Sequence, residues 1–180
     1  MRLFIAISPP DEIKSKIAGL ADSVSSNESG LKKVSKENCH LTLKFLGEVD
    51  EKKLEEIKAT LSNIKSEGFK ISLNGIGFFP GAEYIKVVWA GVEGGKTEAI
   101  NLQKEIDERL SKLGFKKEKN FEPHLTIARV KFLKDKSGFL EKLKKADFKG
   151  EFTVESIELV ESTLTPKGPV YRVISRFNLN

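Results

Sequence analysis

Two short segments of this 180-residue chain repeat the pattern His-apolar-Thr-apolar. They are HLTL at residues 40–43 and HLTI at residues 124–127, and together they hold both histidines of the sequence. Side chains alternate between the two faces of a β-strand, so each segment would present its histidine and threonine on one face and its apolar residues on the other. An internal duplication would give each half of the chain one such strand, and two His-Thr pairs would then face a common cleft.

Two imidazoles facing one cleft suit the cleavage of a phosphodiester. That reaction removes a proton from the attacking oxygen and gives one to the leaving oxygen, and histidine does both near neutral pH, each transfer contributing about 100- to 10,000-fold. Thr42 and Thr126 would donate hydrogen bonds to non-bridging phosphate oxygens as charge develops there. His40 and His124 are therefore the candidate catalytic residues, and the two threonines are the candidate phosphate ligands.

Two other interpretations of the motifs are weaker. A single His-x-Thr in a strand is most often structural, but two copies that use every histidine of the chain favour function. A zinc site needs more ligands than two histidines, and Cys39 is the one cysteine of the sequence. Alternation also points Cys39 away from His40, which disfavours a Cys-His nucleophilic pair. We therefore expect no metal and no cofactor.

The elements that must position these motifs mix helices and strands. Apolar residues at helical spacing predict helices over residues 11–24, 51–64, 96–113 and 135–146. Short apolar or alternating segments predict strands over residues 2–7, 39–46, 69–79, 84–92, 124–130, 148–160 and 170–179, with loops at 25–30 and 165–169. Several strands follow one another directly, which favours an α+β fold with mainly antiparallel sheets over a doubly wound parallel sheet. No flexible linker divides the chain, so residues 1–180 are expected to form a single domain.

The composition is typical of an ordinary globular protein. Hydrophobic residues make up 39% of the sequence, which is enough for a core and too much for a disordered chain. No apolar run approaches the ~20 residues that span a bilayer, and the N-terminus has too short an apolar stretch for a signal peptide. The net charge of +5 favours acidic partners. We therefore expect a cytoplasmic protein with no membrane association.

The sequence around both motifs resembles the two-histidine phosphoesterase superfamily, and more closely its RNA 2′,3′-cyclic phosphodiesterase branch, also called 2′-5′ RNA ligases. The similarity includes both motifs and, in the same order, residues 2–7, 77–80 and 88–92, Ser162 and Tyr171. This resemblance implies a bilobal α+β fold of two pseudo-symmetric lobes, with outer helices, one motif in each lobe and a central cleft. It also implies metal-independent hydrolysis of a terminal 2′,3′-cyclic phosphate to a 2′-phosphate, with His40 as proton donor and His124 as proton acceptor.

Four further residues are candidates for substrate contact. In similar proteins the arginine after the second motif lies near the phosphate, and here it is Arg129. Strict alternation from the second histidine would place Arg129 on the opposite face, so a β-bulge or a strand end would have to redirect it. Lys44 shares the face of the first histidine by alternation, but a solvated edge lysine is an equal interpretation. Tyr171, beside a Gly-Pro turn, and Ser162 are candidates for nucleotide contact, although Ser162 could instead bond to its own backbone turn.

With the acid-base chemistry of the two motifs, the resemblance implies hydrolysis of 2′,3′-cyclic phosphate at an RNA or oligonucleotide end. We expect a monomer that acts on short or single-stranded ends. Ligation of 2′-5′ ends stays an open alternative, because both directions share one transition state. An alternative that is not an enzyme is an RNA- or nucleotide-binding module in which the histidines contact phosphate without turnover. Intact motifs in both halves argue against that module, since binding alone needs no matched acid-base pair.

Overall fold

Two antiparallel β-sheets, each carrying one of the His-x-Thr motifs, form the framework of the protein. The computed structural model describes residues 1–27, 29–166 and 168–180. One sheet contains β1 (Arg2–Ile7), β3 (Leu41–Glu48), β8 (Ser156–Thr165) and β9 (Gly168–Asn178), in the order β3-β1-β8-β9. The other contains β2 (Ser29–Lys33), β4 (Phe69–Gly81), β5 (Tyr84–Gly94), β6 (His124–Leu133) and β7 (Lys149–Val154), in the order β2-β6-β5-β4-β7. The predicted α+β class with antiparallel sheets is confirmed.

The described part of the chain also contains four α-helices, at the positions that the apolar spacing predicts. They are α1 (Asp11–Ser23), α2 (Leu54–Ser62), α3 (Lys96–Ser111) and α4 (Lys136–Lys145), with short 3₁₀ turns at Lys36–Asn38 and Glu51–Lys53. Helix α1 starts after Pro10 with two acidic residues in its first turn, where the partial positive charge of a helix N-terminus favours them. The Asp135 side chain caps α4 by accepting the N–H of Gly138 at 2.9 Å. None of the described helices is long and apolar enough to cross a membrane.

The two faces of the four-stranded sheet have different roles. Alternate residues of β1, among them the fully buried Ile5, belong to the main apolar core together with residues from all four helices and from the second sheet. The residues between them belong to a second, smaller apolar cluster that consists of Phe4, Ala6 and Val160, with the partly buried Tyr171 packed against it. This second face carries the cleft in which the motif residues lie.

Strand β2 is an element that the sequence prediction missed. The predicted loop over residues 25–30 includes Glu28, which lies outside the described residues, and its last two residues begin β2. This strand forms the edge of the five-stranded sheet and pairs with β6, with Lys32 opposite Arg129. Its sequence, SGLKK, contains one apolar residue, so no alternating pattern marks it. Strand β2 therefore forms because it pairs with β6, and its own composition does not predict it.

The single strand predicted over residues 148–160 is two strands that belong to different sheets. Edge strand β7 buries alternate residues, Phe152 and Val154, whereas β8 lies between β1 and β9 and buries a continuous run that starts at Ile157. The spacing of the apolar residues changes phase between Val154 and Ile157, and this change marks the crossing between the sheets. The predicted turn at residues 165–169 contains Lys167, which lies outside the described residues, and β8 and β9 flank it.

Candidate active site

The two motif strands share the same irregularity. The pairing of β3 with β1 shifts register so that Leu43 has no residue opposite it, and the pairing of β6 with β5 leaves Ile127 in the same situation. Each is the third residue after its motif histidine. An extra residue of this kind reverses the alternation of the side chains that follow it. The fifth residue after each histidine, Phe45 in β3 and Arg129 in β6, therefore returns to the face of the histidine and lines the same cavity.

Arg129 thus reaches the cleft by the β-bulge that its prediction required. Arg129 borders the same cavity as both motif histidines, and its positive charge contributes to the lowering of their pKa. Three other arginines bind glutamate side chains (Arg109, Arg172 and Arg176). Within residues 1–27, 29–166 and 168–180, no carboxylate forms an ion pair with Arg129, so its guanidinium is available to an anionic ligand.

Lys44 corrects both interpretations made from the sequence, because it neither shares the face of His40 nor lies in solvent. The bulge places it opposite the buried Ile5, and its side chain is 1% exposed. Its Nζ forms an ion pair with Asp107 of α3 and donates a 2.6 Å hydrogen bond to the backbone oxygen of Lys116. This position makes Lys44 a link between β3, α3 and the segment after α3, rather than a candidate for nucleotide contact.

His40 lies directly before β3, between two aromatic rings. The centroid of its imidazole is 4.8 Å from that of Phe4 and 5.2 Å from that of Tyr171. Its Nδ1 is 2.7 Å from the backbone oxygen of Asn38. The Asn38 side chain donates a 2.9 Å hydrogen bond to the backbone oxygen of Pro169 in β9. Packing by residues of β1 and β9, together with the hydrogen bond to the 3₁₀ turn, therefore fixes the orientation of the His40 ring.

His124, at the start of β6, has a matching environment built from other residues. Its ring centroid is 5.2 Å from that of Phe79 and 5.9 Å from that of Trp89, and its Nδ1 is 2.7 Å from the backbone oxygen of Glu122. The indole of Trp89 lies across Gly77 of β4, where any Cβ atom would overlap its ring. Glycine at position 77 thus allows the indole to lie against the strand and support the imidazole.

Both histidines are held in the same tautomer by the same kind of partner. A carbonyl oxygen only accepts hydrogen bonds, so each Nδ1 carries the hydrogen and donates it to the carbonyl two residues earlier. The neutral ring then keeps its lone pair on Nε2. Such a nitrogen accepts a proton when the ring is neutral and donates one when the ring is charged. Each ring is therefore arranged for proton transfer through Nε2.

Burial lowers the pKa of both histidines below the ordinary value of 6.5. For His40 the pKa falls to about 4, principally because burial disfavours the charged ring, and the nearby charges of His124 and Arg129 lower it further. For His124 burial is again the largest cause, opposed by the hydrogen bond to Glu122 and by that residue's charge. Both rings are thus neutral near pH 7 when no anion is bound, and a phosphate beside them would favour the charged forms.

The motif residues line one cavity of about 1720 Å³ that both sheets, α3 and the segment after α3 enclose. This volume exceeds the roughly 300–1,000 Å³ of most small-molecule pockets. All the site residues predicted from the sequence border it, namely His40, His124, Thr42, Thr126, Arg129, Tyr171, Ser162 and Lys44. Further cationic side chains on its wall are Arg2, Lys32, Lys33, Lys104, Lys117 and Lys119, and they outnumber the carboxylates there. The cavity therefore suits an anionic ligand larger than a single nucleotide.

Apart from Tyr171, sequence reasoning missed the aromatic residues around the histidines. Phe4 and Phe79 each pack on one imidazole, whereas aromatic residues in apolar strands are usually assigned to the core. Phe45 is 62% exposed and borders the cavity, although simple alternation along the strand would place it on the other face of the sheet from His40. Phe45 follows His40 by five residues, just as Arg129 follows His124 by five. This equal spacing is the signal that could have identified Phe45. The two orienting carbonyls belong to the backbone, so no residue type marks them.

Sequence comparison places the chain among proteins of one family. The sequence profile of the 2′-5′ RNA ligase superfamily matches residues 9–165. A curated protein of Methanocaldococcus jannaschii named RNA 2′,3′-cyclic phosphodiesterase is 48% identical over 98% of this chain and 100% of its own length. A protein of the same name from Thermotoga maritima is 40% identical over 97% of this chain and 93% of its own length. The similarity thus covers nearly the whole chain.

Solved structures agree with the sequence comparison. A crystal structure of a Thermus thermophilus protein matches with a TM-score of 0.85 and 30% identity, covering 99% of this chain and 98% of the other. E. coli LigT complexed with 3′-AMP matches with a TM-score of 0.81 and 25% identity, covering 99% of this chain and 97% of that one. Together with the matching profile and the two motifs in one cleft, these similarities show that the chain belongs to the 2′-5′ RNA ligase superfamily.

Proposed function

We propose that the chain hydrolyses 2′,3′-cyclic phosphate at the end of an RNA or oligonucleotide to a 2′-phosphate, without a metal ion. The observation that carries the proposal is the pair of histidines in one tautomer on one cationic cavity. The common name of the curated relatives and the 3′-AMP bound by LigT support an RNA substrate. Among the described residues, no group of three or more His, Cys, Asp and Glu side chains is arranged to hold a metal ion.

In the proposed mechanism the histidines act on opposite sides of the phosphorus. Nε2 of His124 removes a proton from water as the water oxygen bonds to phosphorus, and Nε2 of His40 gives a proton to the 3′-oxygen as the bond from phosphorus to that oxygen breaks. The products are a 2′-phosphate and a 3′-hydroxyl. The assignment of donor and acceptor follows the family resemblance. In 2′-5′ ligation the 5′-hydroxyl of a second RNA end would replace the water, and the same two nitrogens would serve.

The negative charge of the transition state is stabilised by groups that border the histidines. The hydroxyls of Thr42 and Thr126 donate to the non-bridging oxygens, and the guanidinium of Arg129 supplies the positive charge. Tyr171 and Ser162 lie opposite each other in the pair β8 and β9, and we assign them to contact with the terminal nucleoside. We further propose a cytoplasmic monomer in which residues 1–180 act as one two-lobed unit. The monomer is supported by the motif residues of both sheets, which border one cavity within a single chain.

The proposed reaction is tested with a short RNA that ends in 2′,3′-cyclic phosphate, incubated with the purified protein in excess EDTA. The expected product is RNA with a 2′-phosphate and a 3′-hydroxyl, because histidines rather than a metal transfer the protons. Phosphorus NMR distinguishes a 2′-phosphate from a 3′-phosphate. Formation of a 3′-phosphate would contradict the assigned leaving oxygen. Loss of the activity in EDTA with recovery on addition of a divalent ion would contradict the metal-free mechanism.

The activity is expected to decrease as the pH rises above about 6.5. The reaction needs one histidine protonated and the other neutral, and the pKa of each is below 6.5 in the free protein, so a higher pH removes the proton from the acid. The profile of kcat/KM against pH should therefore fall by up to about tenfold per pH unit on its alkaline side. A maximum at pH 8 or above would show that burial does not set the titration of the site.

A further inference from the structure

A second cavity, of about 610 Å³, opens beside the active-site cavity where β5 begins and β6 ends. Val87 and Arg129, which lie opposite each other in these strands, border both cavities. A ligand whose phosphate is bound at Arg129 can therefore continue into the second cavity without leaving the protein surface. The volume lies within the roughly 300–1,000 Å³ of pockets that hold one small ligand, which is room for about one nucleotide.

Two exposed aromatic rings border this second cavity. The side chain of Tyr84 is 64% exposed and that of Phe132 is 51% exposed. The Phe132 ring covers the backbone of Gly30 in the edge strand β2, where a Cβ atom would overlap it, so the ring is supported from below. Nζ of Lys86 lies 4.9 Å from the centroid of the Tyr84 ring. Supported and exposed rings of this kind are the platforms on which unpaired bases stack.

The charges around these rings are mainly positive. Lys86 and Lys131 border the cavity, with Arg129 at its inner end. The one acidic side chain among the described residues of its wall, Glu83, forms an ion pair at 3.5 Å with Lys136. We call Tyr84, Lys86, Lys131 and Phe132 the Tyr84–Phe132 surface. Aromatic rings interleaved with lysines are typical of surfaces that bind single-stranded nucleic acid.

We propose that the Tyr84–Phe132 surface binds the nucleotide on the 5′ side of the terminal one, with its base packed against the rings of both Tyr84 and Phe132 and its phosphate beside the lysines. The inference rests on the proposed function, because it takes the terminal phosphate to lie at Arg129. An RNA that ends in a cyclic phosphate continues only in the 5′ direction from there. A second copy of this chain fits the surface less well, because it would bring the same lysines face to face.

The test compares kcat/KM for a mononucleotide 2′,3′-cyclic phosphate with that for a trinucleotide carrying the same end. The wild type should prefer the trinucleotide. Tyr84→Ala and Phe132→Ala should each reduce kcat/KM for the trinucleotide by about 5- to 150-fold, the effect expected from the loss of stacking by one base. The mononucleotide should react normally in both variants, which also shows that they fold. Tyr84→Phe keeps the ring and should keep the preference.

Calorimetric titration with a trinucleotide that carries a 2′-phosphate provides a readout independent of turnover. Weaker binding by Tyr84→Ala and Phe132→Ala, with wild-type binding by Tyr84→Phe, would support the proposal. If the wild type hydrolyses both substrates equally, or if the alanine variants keep the preference and the binding, the surface does not bind RNA while the proposed function stands. If the wild type hydrolyses neither substrate, the proposed function fails, and equal binding by wild type and variants then overturns the inference separately.

Discussion

Replacing either motif histidine with alanine is expected to lower kcat on RNA 2′,3′-cyclic phosphate by about 100- to 10,000-fold, the usual contribution of one general acid or base. His40 and His124 are held by equivalent hydrogen bonds in equivalent tautomers, so both losses should be large. The double substitution should cost much less than the product of the two single effects, because the two rings act as a unit in one transition state. Single-turnover kinetics with saturating protein measures the chemical step directly.

A change to asparagine separates the chemistry of these rings from their packing. In His40→Asn the amide NH₂ can still donate to the Asn38 carbonyl, but no atom remains at the position of Nε2. We expect this variant to be as slow as His40→Ala, while its affinity for RNA with a 2′-phosphate stays within a few fold of wild type. A variant that loses affinity but keeps its rate at saturation would instead indicate a binding module, and activity that survives in both alanine variants would contradict the two-histidine mechanism.

Loss of the ion pair between Lys44 and Asp107 is expected to destabilise the protein by about 3–5 kcal/mol, because it leaves one buried charge without its partner. Both side chains are nearly inaccessible to solvent, and the second Asp107 oxygen also accepts the N–H of Glu118 at 2.7 Å. Lys44→Met and Asp107→Asn should each lower the midpoint of thermal unfolding by roughly 6–20 °C. Differential scanning calorimetry measures this shift.

An exposed ion pair provides the matched control for this experiment. Lys70 and Glu151 lie 3.1 Å apart on neighbouring strands of the second sheet, and both are well exposed to solvent. Lys70→Met should change the free energy of unfolding by less than about 1 kcal/mol. Equal effects of Lys44→Met and Lys70→Met would show that burial adds nothing to the strength of the first pair. A fully active, destabilised Lys44→Met would support the structural role assigned to this lysine.

Much of the fold could be predicted from the sequence because local patterns specify it. Helical spacing of apolar residues locates all four helices, and the His-x-Thr alternation locates both motif strands. The α+β class, membership of the family and the enzyme class are confirmed. The roles of His40, His124, Thr42 and Thr126 stay predictions, although the structure brings these four residues together at one cavity.

The errors have a common physical cause, since they depend on which strand lies alongside which. Strand β2 has no alternation of apolar and polar residues. The predicted strand over residues 148–160 is divided near Glu155 because the chain passes there from one sheet to the other. The bulges at Leu43 and Ile127 are features of strand pairing, and no residue type in the sequence indicates where they occur. The two bulges have opposite consequences for the predicted residues. The bulge at Ile127 brings Arg129 to the face of His124, whereas the bulge at Leu43 turns Lys44 off the face of His40 and into its ion pair with Asp107.

The backbone carbonyls that orient the two imidazoles have a consequence for how the site acquires its charge. Many catalytic histidines are held by a carboxylate, which stabilises the charged ring before any ligand arrives. Here the orienting group is neutral, and burial keeps both rings uncharged. The counter-ion for the proton is then the phosphate of the RNA itself. The proton on the catalytic acid is therefore stabilised by the bound substrate, because the carbonyls that orient the two rings carry no net charge.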